Sequence, residues 1–535
     1  MDDFFTRVKR RIAREIALQT NRWRANKLTR AIRSSVSQKE QKPIVIFNAS
    51  TRLSGLSQNA GFSLLTSLGL RADGVPVIHF VCERGLVPCV LGTNRDRPSD
   101  LPPCAECVRT SRYLYKDTKV YWFSQKSYPE LADQLDGLSL ETLLDFEYLH
   151  VPLGKLILPS MRWILRRHHL VDDADTRFLA RAYIQSAWNV YTEFSNLLAS
   201  HSPQAVVVFN GMFYPEAMAR FAAQEKDVPV FSHEVGMLPY SAFFTDKEAT
   251  AYPVAVDSDF QLDQEQNERL DQYLSNRFQG NFQTAGVQFW PEMKGLDSEL
   301  SQKLAGHQAL VPIFTNVIFD TSQAHANTLF EHMFTWLDLV VDKIKQHPGI
   351  LFIIRAHPDE VRPGKESLES VSDWFERKEL STLQNLLFIP PDEFISSYDL
   401  IQRAKFVMVY NSTIGLEASI MGKPVLCAGK ARYTQIPTVF FPGSVSEYER
   451  TLENFLNTQA IDQPAEFTQN ARHVLYSQLF RASIPFDRYL EEDGVWRGYV
   501  RLKDFDLSDL KADQSGVMKV VLDGILAGKP FIRDL

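Results

Sequence analysis

Short, uninterrupted apolar runs alternate with helical patterns through most of the chain. In the first half the runs lie at 43–48, 75–81, 205–210 and 228–232, with amphipathic helices predicted near 62–70 and 215–225 and a largely helical region from 125 to 200. Runs of this kind are typical of strands whose two faces are both covered, and strand–helix–strand succession is typical of parallel sheets. The pattern therefore predicts an α/β domain with a parallel sheet.

The same pattern returns in the second half, which predicts a second α/β domain. Its runs lie at 310–315, 350–354, 386–389, 406–410 and 424–427, with a helix near 327–345. A chain of 535 residues is also too long for one ordinary core. We expect an N-terminal helix and linker over 1–42, a first domain over 43–261, a connection over 262–308, a second domain over 309–460 and a helical extension over 461–535.

The N-terminal segment 2–33 predicts a helix with an apolar stripe of Phe5, Val8, Ile12 and Ile16, flanked by arginines. The first 40 residues carry a net charge of +7, and the remainder carries −14. Two interpretations stay open. The helix packs on the body with a solvated basic face, or residues 1–33 lie on an anionic membrane surface.

Bulk composition narrows the classes of function. The apolar fraction of 44% and the charged fraction of 23% are typical of globular proteins, and a net charge of −7 argues against nucleic acid as a partner. No apolar run is long enough to span a membrane, and no signal-peptide core is seen. Five cysteines fit a reducing compartment, so we expect a cytoplasmic protein, at most peripheral at the inner face of the cell membrane.

Candidate anion-binding groups follow two strands of the second domain. Asn411, Ser412 and Thr413 come directly after the run 406–410, where a helix N-terminus presents backbone N–H groups to a phosphate. Arg355 and His357 end the run 350–354 and add a cation and an imidazole. Capping and turn-fixing roles are the structural alternatives. The set favours an enzyme that handles a nucleotide phosphate.

Glu417 lies one turn into the helix after Thr413. A carboxylate there repels phosphate but accepts hydrogen bonds from ribose hydroxyls, which is the role we expect. The alternative is a glutamate stabilised only by the helix dipole.

The first domain offers candidate proton acceptors at a strand end. Glu234 is the preferred general base for an acceptor hydroxyl and His233 the second choice, against the alternative of a pair that only fixes the strand end. Four further residues are expected to line the same cleft: Asn210, Gly211, Gly236 and Asp320. Asp320 has helix capping as its alternative.

Four cysteines lie within 26 residues, namely Cys82, Cys89, Cys104 and Cys107. A Cys-x2-Cys pair plus two nearby thiols can form a structural zinc site, although the first pair is wider than a usual knuckle. The alternative is four reduced thiols on a loop. No paired carboxylates stand at a strand end, so no cofactor is expected to be required for catalysis.

These residues resemble the capsule polysaccharide biosynthesis family of GT-B glycosyltransferases. That family includes bacterial Kdo transferases and is distantly similar to bacterial sialyltransferases and CDP-glycerol transferases. The resemblance rests on the segments 355–360, 411–424 and 315–320, together with Asn210–Gly211 and 233–236. It implies two Rossmann-like domains facing a cleft, with a nucleotide sugar on the second and an acceptor on the first. The cysteine cluster and the basic helix lie outside these motifs.

The expected function is metal-independent transfer of a sugar from a CMP-, UDP- or GDP-linked donor to a glycan or glycolipid acceptor of a surface polysaccharide. His357, Ser412 and Thr413 would stabilise the leaving phosphate. Three alternatives stay open: a CDP-polyol phosphotransferase, a UDP-sugar 2-epimerase on the same fold, and a non-catalytic subunit of a glycan assembly complex.

Overall fold

A computed structural model describes residues 4–48, 55–254, 256, 260–278, 283–284, 287–288, 294–295 and 298–534. Residues 1–3 of the predicted N-terminal helix, the side chains of Phe5 and Arg7, and much of the predicted connection over 262–308 lie outside the part that is described.

The described strands are, in chain order, β1 (Ile44–Asn48), β2 (Val77–Cys82), β3 (Lys119–Phe123), β4 (Ala205–Phe209), β5 (Val230–Val235), β6 (Ser241–Thr245), β7 (Gln283–Thr284), β8 (Val287–Gln288), β9 (Ala309–Phe314), β10 (Ile350–Arg355), β11 (Leu386–Ile389), β12 (Val407–Val409), β13 (Val425–Cys427), β14 (Ile484–Pro485), β15 (Leu490–Glu492) and β16 (Val500–Leu502).

The described α-helices are α1 (Phe4–Ser35), α2 (Gln58–Ala72), α3 (Cys104–Leu114), α4 (Pro129–Leu135), α5 (Leu140–Leu144), α6 (Leu153–Leu165), α7 (Ala174–His201), α8 (Tyr214–Gln224), α9 (Gln264–Phe278), α10 (Ser298–Ala305), α11 (Gln323–Ala326), α12 (Met333–Gln346), α13 (Val371–Arg377), α14 (Ser397–Arg403), α15 (Ile414–Ile420), α16 (Val445–Asn457), α17 (Ala465–Tyr476) and α18 (Gly516–Ala527). Short 3-10 helices lie at Val90–Gly92, Ala249–Ala251, Pro358–Val361, Leu380–Thr382 and Leu507–Leu510, and a π-helix at Ser477–Arg481.

Two large sheets confirm the predicted fold class of two α/β domains built on parallel strands. The first sheet has the order β14-β6-β5-β4-β1-β2-β3, in which β1 to β5 are parallel and β6 and β14 are antiparallel additions. The second has the order β11-β10-β9-β12-β13 and is parallel throughout. Counted within each domain, both sheets contain the order 3-2-1-4-5, which is the doubly wound order.

The burial of the strands explains why their sequences are continuously apolar. Every residue of β1 and β10 is buried. In β1, Ile44 and Ile46 pack into one apolar cluster and Val45 and Phe47 into another, because successive side chains point to opposite faces of a sheet. Helices cover both faces, so neither face can be polar.

The C-terminal extension is less helical than its sequence pattern predicts. Beside α17 and α18 it forms the short strands β14 to β16, and β14 pairs with β6 of the first sheet. Strands of two or three residues are too short to carry a period, which is why the pattern did not reveal them. β3 was missed as well, since it is an edge strand that is only partly buried.

Helix α1 packs on the body of the protein, but not through the predicted apolar stripe. The buried positions are instead Ala17, Asn21, Ala25, Leu28 and Ile32. Asn21 anchors the helix to β16, because its Nδ2 donates to the Val500 carbonyl at 3.1 Å and its Oδ1 accepts from the Leu502 N–H at 2.8 Å. None of the described helices is long and apolar enough to cross a membrane.

Candidate functional site

A cavity of about 470 Å³ lies between the two sheets. Its first-domain wall comes from residues between 247 and 253, which follow β6. Its second-domain wall comes from the loops after β9, β10, β12 and β13. The carboxyl ends of parallel strands are where open α/β sheets bind ligands, so this cavity is the candidate site.

The second sheet reverses its strand order between β9 and β12, and two asparagines mark that point. The Asn411 N–H donates to Asn316 Oδ1 at 3.3 Å, and Gln323 Nε2 donates to Asn411 Oδ1 at 3.2 Å. All three side chains belong to residues of the cavity wall. The sequence identified Asn411 as a site residue, whereas Asn316 and Gln323 were missed.

His357 lines the cavity, as the sequence predicted. The Asp359 N–H donates to its Nδ1 at 3.1 Å, which assigns the proton of the neutral ring to Nε2. Burial lowers the pKa of His357, although Asp359 and Asp320 act in the opposite direction. His357 is therefore a neutral imidazole whose Nε2–H can donate to a ligand.

Ser412 and Thr413 also line the cavity. The Ser412 carbonyl accepts from the Tyr433 hydroxyl at 2.7 Å, which fixes the loop. Thr413 occupies the N-cap position of α15, but its side chain makes no capping hydrogen bond. Since α15 has only seven residues, its dipole contributes little, and the hydroxyls are the more important donors.

Arg355 is turned away from this cavity. Its side chain is buried, and Nη1 donates to the Ile395 carbonyl at 2.5 Å. Burial lowers the pKa of Arg355 to about 10. Arg355 instead lines a smaller cavity of about 120 Å³ that shares His357, Ser412 and Thr413 with the main one.

Glu417 lies in that smaller cavity and is already bonded through both carboxylate oxygens. Arg277 Nε donates to one at 2.6 Å, and the Tyr398 hydroxyl donates to the other at 2.6 Å. Glu417 is 3% exposed, so a ribose could only add to this network. Arg277, from the connection between the domains, and Tyr398 were missed, because their distance along the chain hides the contact.

Glu234 ends β5 and is held by three hydrogen bonds. Asn59 Nδ2 and the Val235 N–H donate to one oxygen, each at 2.8 Å, and Asn210 Nδ2 donates to the other at 3.2 Å. Burial raises the pKa of Glu234 above its ordinary value, against the effect of these bonds, and the charge of Asp320 raises it further. Glu234 is not part of the wall of the 470 Å³ cavity.

Three of the four predicted cleft residues support the site without lining it. Asn210 adopts a left-handed conformation and bonds Glu234, while its Oδ1 accepts from the Met212 N–H at 2.9 Å. Gly211 has a φ of 86°, and Gly236 packs so closely that a Cβ would lie 2.3 Å from Ser241 Oγ. None of the three belongs to the cavity wall. A place for them in a wider interdomain cleft stays a prediction.

His233 points into the core of the first domain, so its prediction as a second base was wrong. The side chain is fully buried, and Nε2 lies 2.8 Å from Ser63 Oγ. Burial lowers the pKa of His233 to about 3. Adjacent residues of a strand face opposite ways, so only one of His233 and Glu234 can reach the cleft side.

Asp320 is an exposed residue of the cavity wall. Its negative charge influences titratable groups of both domains. Its Oδ1 accepts from the Ser322 N–H at 2.8 Å, whereas the N-cap of α11 is Ser322, so Asp320 is not the helix cap given as its alternative. Its charge also raises the pKa of both His357 and Glu234. The charge of Asp320 therefore acts on both the candidate base and the histidine predicted to bind phosphate.

Three cations of the cavity wall were missed: Lys247, Lys430 and Arg432. Lys430 and Arg432 follow β13, directly after Gly429, and the Arg432 guanidinium lies 4.3 Å from the centre of the Tyr252 ring. A glycine and two cations after a buried strand is the sequence signal that could have identified them. The same wall carries three acidic side chains, Glu248, Asp320 and Asp359, so the cations offer local rather than net positive charge to a phosphate ligand.

The second domain carries a recognisable family signature. Residues 288–467 match the model described as capsule polysaccharide biosynthesis protein. The match covers about a third of the chain. It contains Asp320, His357, residues 411–413 and Glu417, so the predicted donor residues lie within the matched part. The comparison with curated proteins gives no match.

Among solved structures, the chain is similar to two transferase domains and an epimerase. It is 14% identical to the β-Kdo 2,4 transferase of Thermosulfurimonas dismutans KpsC, covering 56% of this chain and 84% of that one with a TM-score of 0.34. The β-Kdo 2,7 transferase of the same protein gives 13% identity, 63% and 90% coverage and a TM-score of 0.31. The Neisseria meningitidis UDP-GlcNAc 2-epimerase bound to UDP-GlcNAc is 12% identical, and the match covers 81% of this chain and 98% of that one with a TM-score of 0.25.

The four clustered cysteines are free thiols. The Gly85 N–H donates to Cys82 Sγ and the Gly92 N–H donates to Cys89 Sγ, each at 3.2 Å. Burial raises the pKa of Cys82 and of Cys89 to about 12. Within the described ranges, no group of three or more histidine, cysteine or acidic side chains is arranged to hold a metal. Zinc stays a prediction for metal analysis of the purified protein.

Proposed function

We propose that the protein is a glycosyltransferase of capsule-type polysaccharide synthesis that uses a nucleotide-sugar donor linked to CMP, UDP or GDP. The observation that carries the proposal is one cavity in which His357 and the hydroxyls of Ser412 and Thr413 meet the cations Lys430 and Arg432. Neutral and charged donors converging on one space are what a departing nucleotide phosphate requires.

The acceptor is proposed to enter from the side of the first domain. Glu234 would take the proton of the acceptor hydroxyl as the oxygen forms its bond to the anomeric carbon. The bond from that carbon to the phosphate oxygen breaks in the same step, and the nucleotide leaves with the electron pair. Burial supports this role of Glu234, because a raised pKa makes its carboxylate a stronger base.

The transfer is proposed to need no divalent metal. The cations Lys247, Lys430 and Arg432 of the cavity wall provide positive charge for the leaving group. We expect EDTA to leave the rate unchanged. A rate that falls with EDTA and returns with Mg²⁺ would contradict this part of the proposal.

The donor is tested most directly by thermal unfolding in the presence of CMP, UDP, GDP and CDP. A nucleotide that binds the native state raises the unfolding temperature in a concentration-dependent way. The shift should disappear in His357→Ala and persist in Glu234→Gln. Loss of the shift in both variants would indicate misfolding, and absence of any shift in the wild type would contradict the proposal.

The reaction class is tested by product analysis with the nucleotide that binds. Transfer requires an acceptor, whereas a 2-epimerase converts a nucleotide sugar alone. A CDP-polyol phosphotransferase would leave a phosphodiester in the product. A non-catalytic subunit would leave polymer synthesis unaffected by Glu234→Gln and His357→Ala.

We further propose that the protein works at an anionic membrane surface, to which α1 binds. Val8, Ile12 and Ile16 follow one another at intervals of four, and Trp23 comes seven residues later, so all four lie on one side of the helix. They are 38%, 56%, 54% and 60% exposed, opposite the packed face. Exposed cations of the same helix are Lys9, Arg11, Arg30 and Arg33. A cationic helix with an unpartnered apolar face fits anionic lipid.

A further inference from the structure

A cluster of basic residues lies on the first-domain side of the cleft, apart from the predicted donor site. Arg166 ends α6 in a left-handed conformation, and its guanidinium stacks at 4.3 Å on the ring of Trp163 and at 5.1 Å on that of Phe319. Phe319 immediately precedes Asp320 of the cavity wall. The Arg166 guanidinium is thus placed at the edge of the reaction cleft.

Arg166 lacks the partners that a buried guanidinium normally has. Its side chain is 6% exposed, and among the described residues its Nη1 has no hydrogen-bond acceptor and the group forms no ion pair. Burial and the nearby charge of Arg95 lower the pKa of Arg166 to about 10, although Glu366 and Asp320 act in the opposite direction. Buried guanidinium groups are usually paired with acids, so an unpaired one calls for an explanation.

Two further cations lie at the same place. Arg95 Nε has no hydrogen-bond partner and lies 3.6 Å from its ion-pair partner Asp96. Desolvation lowers the pKa of Lys365, and the charges of Arg362 and Arg166 lower it further, so these cations stand close to one another. The acids Glu366, Asp320 and Asp359 oppose these charges, and the repulsion that remains among the cations falls when an anion binds between them.

The cluster is held across the two domains. The Leu368 N–H donates to the Arg166 carbonyl at 2.9 Å, and the His168 and His169 N–H groups donate to Glu369 Oε2 at 2.9 and 3.0 Å. These bonds fix the first-domain segment 166–169 against the second-domain segment 368–369. Arg166 and Lys365 therefore keep their relative position, as a preformed binding site requires.

We propose that Arg95, Arg166 and Lys365 bind an anionic group, phosphate or carboxylate, carried by the sugar acceptor. The assignment of this anion to the acceptor rests on the proposed function, in which the first domain binds the acceptor. Two of the three cations belong to that domain. Arginine binds both anions through paired N–H groups, and the charge of Asp320 acts on both Arg166 and His357. An acceptor held here would present a hydroxyl near Glu234.

The test uses the full-length protein with methyl phosphate and, separately, acetate as probes. Binding is followed by tryptophan fluorescence, for which Trp163 beneath Arg166 is the local reporter, and by thermal unfolding, with sodium chloride of equal ionic strength as reference. We expect saturable binding that is about tenfold weaker in Arg166→Gln, as expected for one lost charge-assisted contact, and also weakened in Lys365→Gln.

The matched control is Lys155→Gln, which removes an exposed charge from the same helix about three turns away. It should bind the probes like the wild type. Lys365 is exposed, so Lys365→Gln keeps the test valid if Arg166→Gln does not fold. Wild-type binding that does not saturate, or variants that bind as tightly as the wild type, would overturn the site.

Two further arms separate this inference from the proposed function. Methyl phosphate should still bind His357→Ala and should not compete with the nucleotide that binds the wild type. If the nucleotide displaces methyl phosphate, the anion belongs to the donor and the acceptor assignment is wrong. If no nucleotide binds while methyl phosphate does so through Arg166, the proposed function fails and the anion site stands.

Discussion

The two sheets share one strand order but carry opposite chemistry at the point where that order reverses. In the second sheet this point lies between β9 and β12, and the loops there hold Asn316, Asn411 and Ser412 beside the cations after β13. In the first sheet it lies between β1 and β4, and Asn210, which follows β4, holds the carboxylate of Glu234.

The comparison teaches that topology places a site while side chains decide its chemistry. Hydrogen-bond donors and cations on the second sheet suit a phosphate, which is an anion that must be stabilised as it leaves. A desolvated carboxylate on the first sheet suits a proton that must be accepted. Substitutions that remove the carboxylate or a phosphate-binding donor separately should therefore have different effects.

The largest effect is expected from Glu234→Gln. The amide keeps the shape of the side chain and can still accept from Asn59 Nδ2, but it cannot take a proton. General-base catalysis contributes about 10²–10⁴-fold, so kcat should fall by that factor with the KM of the donor unchanged. Steady-state kinetics with the identified donor measures this. Retention of full activity would remove Glu234 from the mechanism.

The next effect is expected from His357→Ala, which removes a donor on the second-sheet side. Loss of one preorganised donor to a developing negative charge lowers kcat by about 10²–10³-fold. The matched control is His307→Ala, since His307 lies outside the cavity wall and its Nδ1 bonds the nearby Lys303 carbonyl at 2.9 Å. Equal losses in the two variants would show that the effect is not specific to the cleft.

A smaller effect is expected in the pH dependence of kcat. Because burial raises the pKa of Glu234, the carboxylate becomes protonated, and activity is lost, as pH falls through a value above that of an ordinary glutamate. The rate should therefore show an acidic limb that the residual activity of Glu234→Gln does not show. An unchanged limb in this variant would assign the titration to another group.

The contrast between the sheets also explains how much the sequence could predict. Buried strands such as β1 and β10 are visible as apolar runs, and residues that directly follow such strands, such as His357 and Asn411, are placed by that fact alone. Side-chain direction is not fixed in this way. Arg355 and His233 also belong to strand ends, yet both are buried and neither lines the main cavity.

Contacts between distant parts of the chain were beyond the sequence pattern. Arg277 reaches Glu417 from 140 residues away, and α1 is anchored to β16 through Asn21. Nothing in the local period of either segment encodes its partner. Lys430 and Arg432 are different, because they follow a buried strand and could have been recognised by the rule that identified Ser412.

The smallest effect on the folded protein is expected from the outward face of α1. Replacing Ile12, Ile16 and Trp23 by serine removes exposed apolar groups only, so each change should alter the free energy of unfolding by no more than about 0.5 kcal/mol. Flotation with vesicles that contain anionic lipid should nevertheless decrease strongly, and high salt should weaken the binding of the wild type, since exposed charges are screened.

The control changes the packed face instead. Leu28→Ala lies on the same helix but in the core, so it should destabilise the protein by about 2–5 kcal/mol and leave vesicle binding intact as long as the helix stays folded. If the serine variant floats as well as the wild type, the exposed stripe does not bind membrane. The role of the cationic helix would then be limited to packing on the body of the protein. Membrane binding would no longer be part of the proposed function, and the roles assigned to the two sheets would be unaffected.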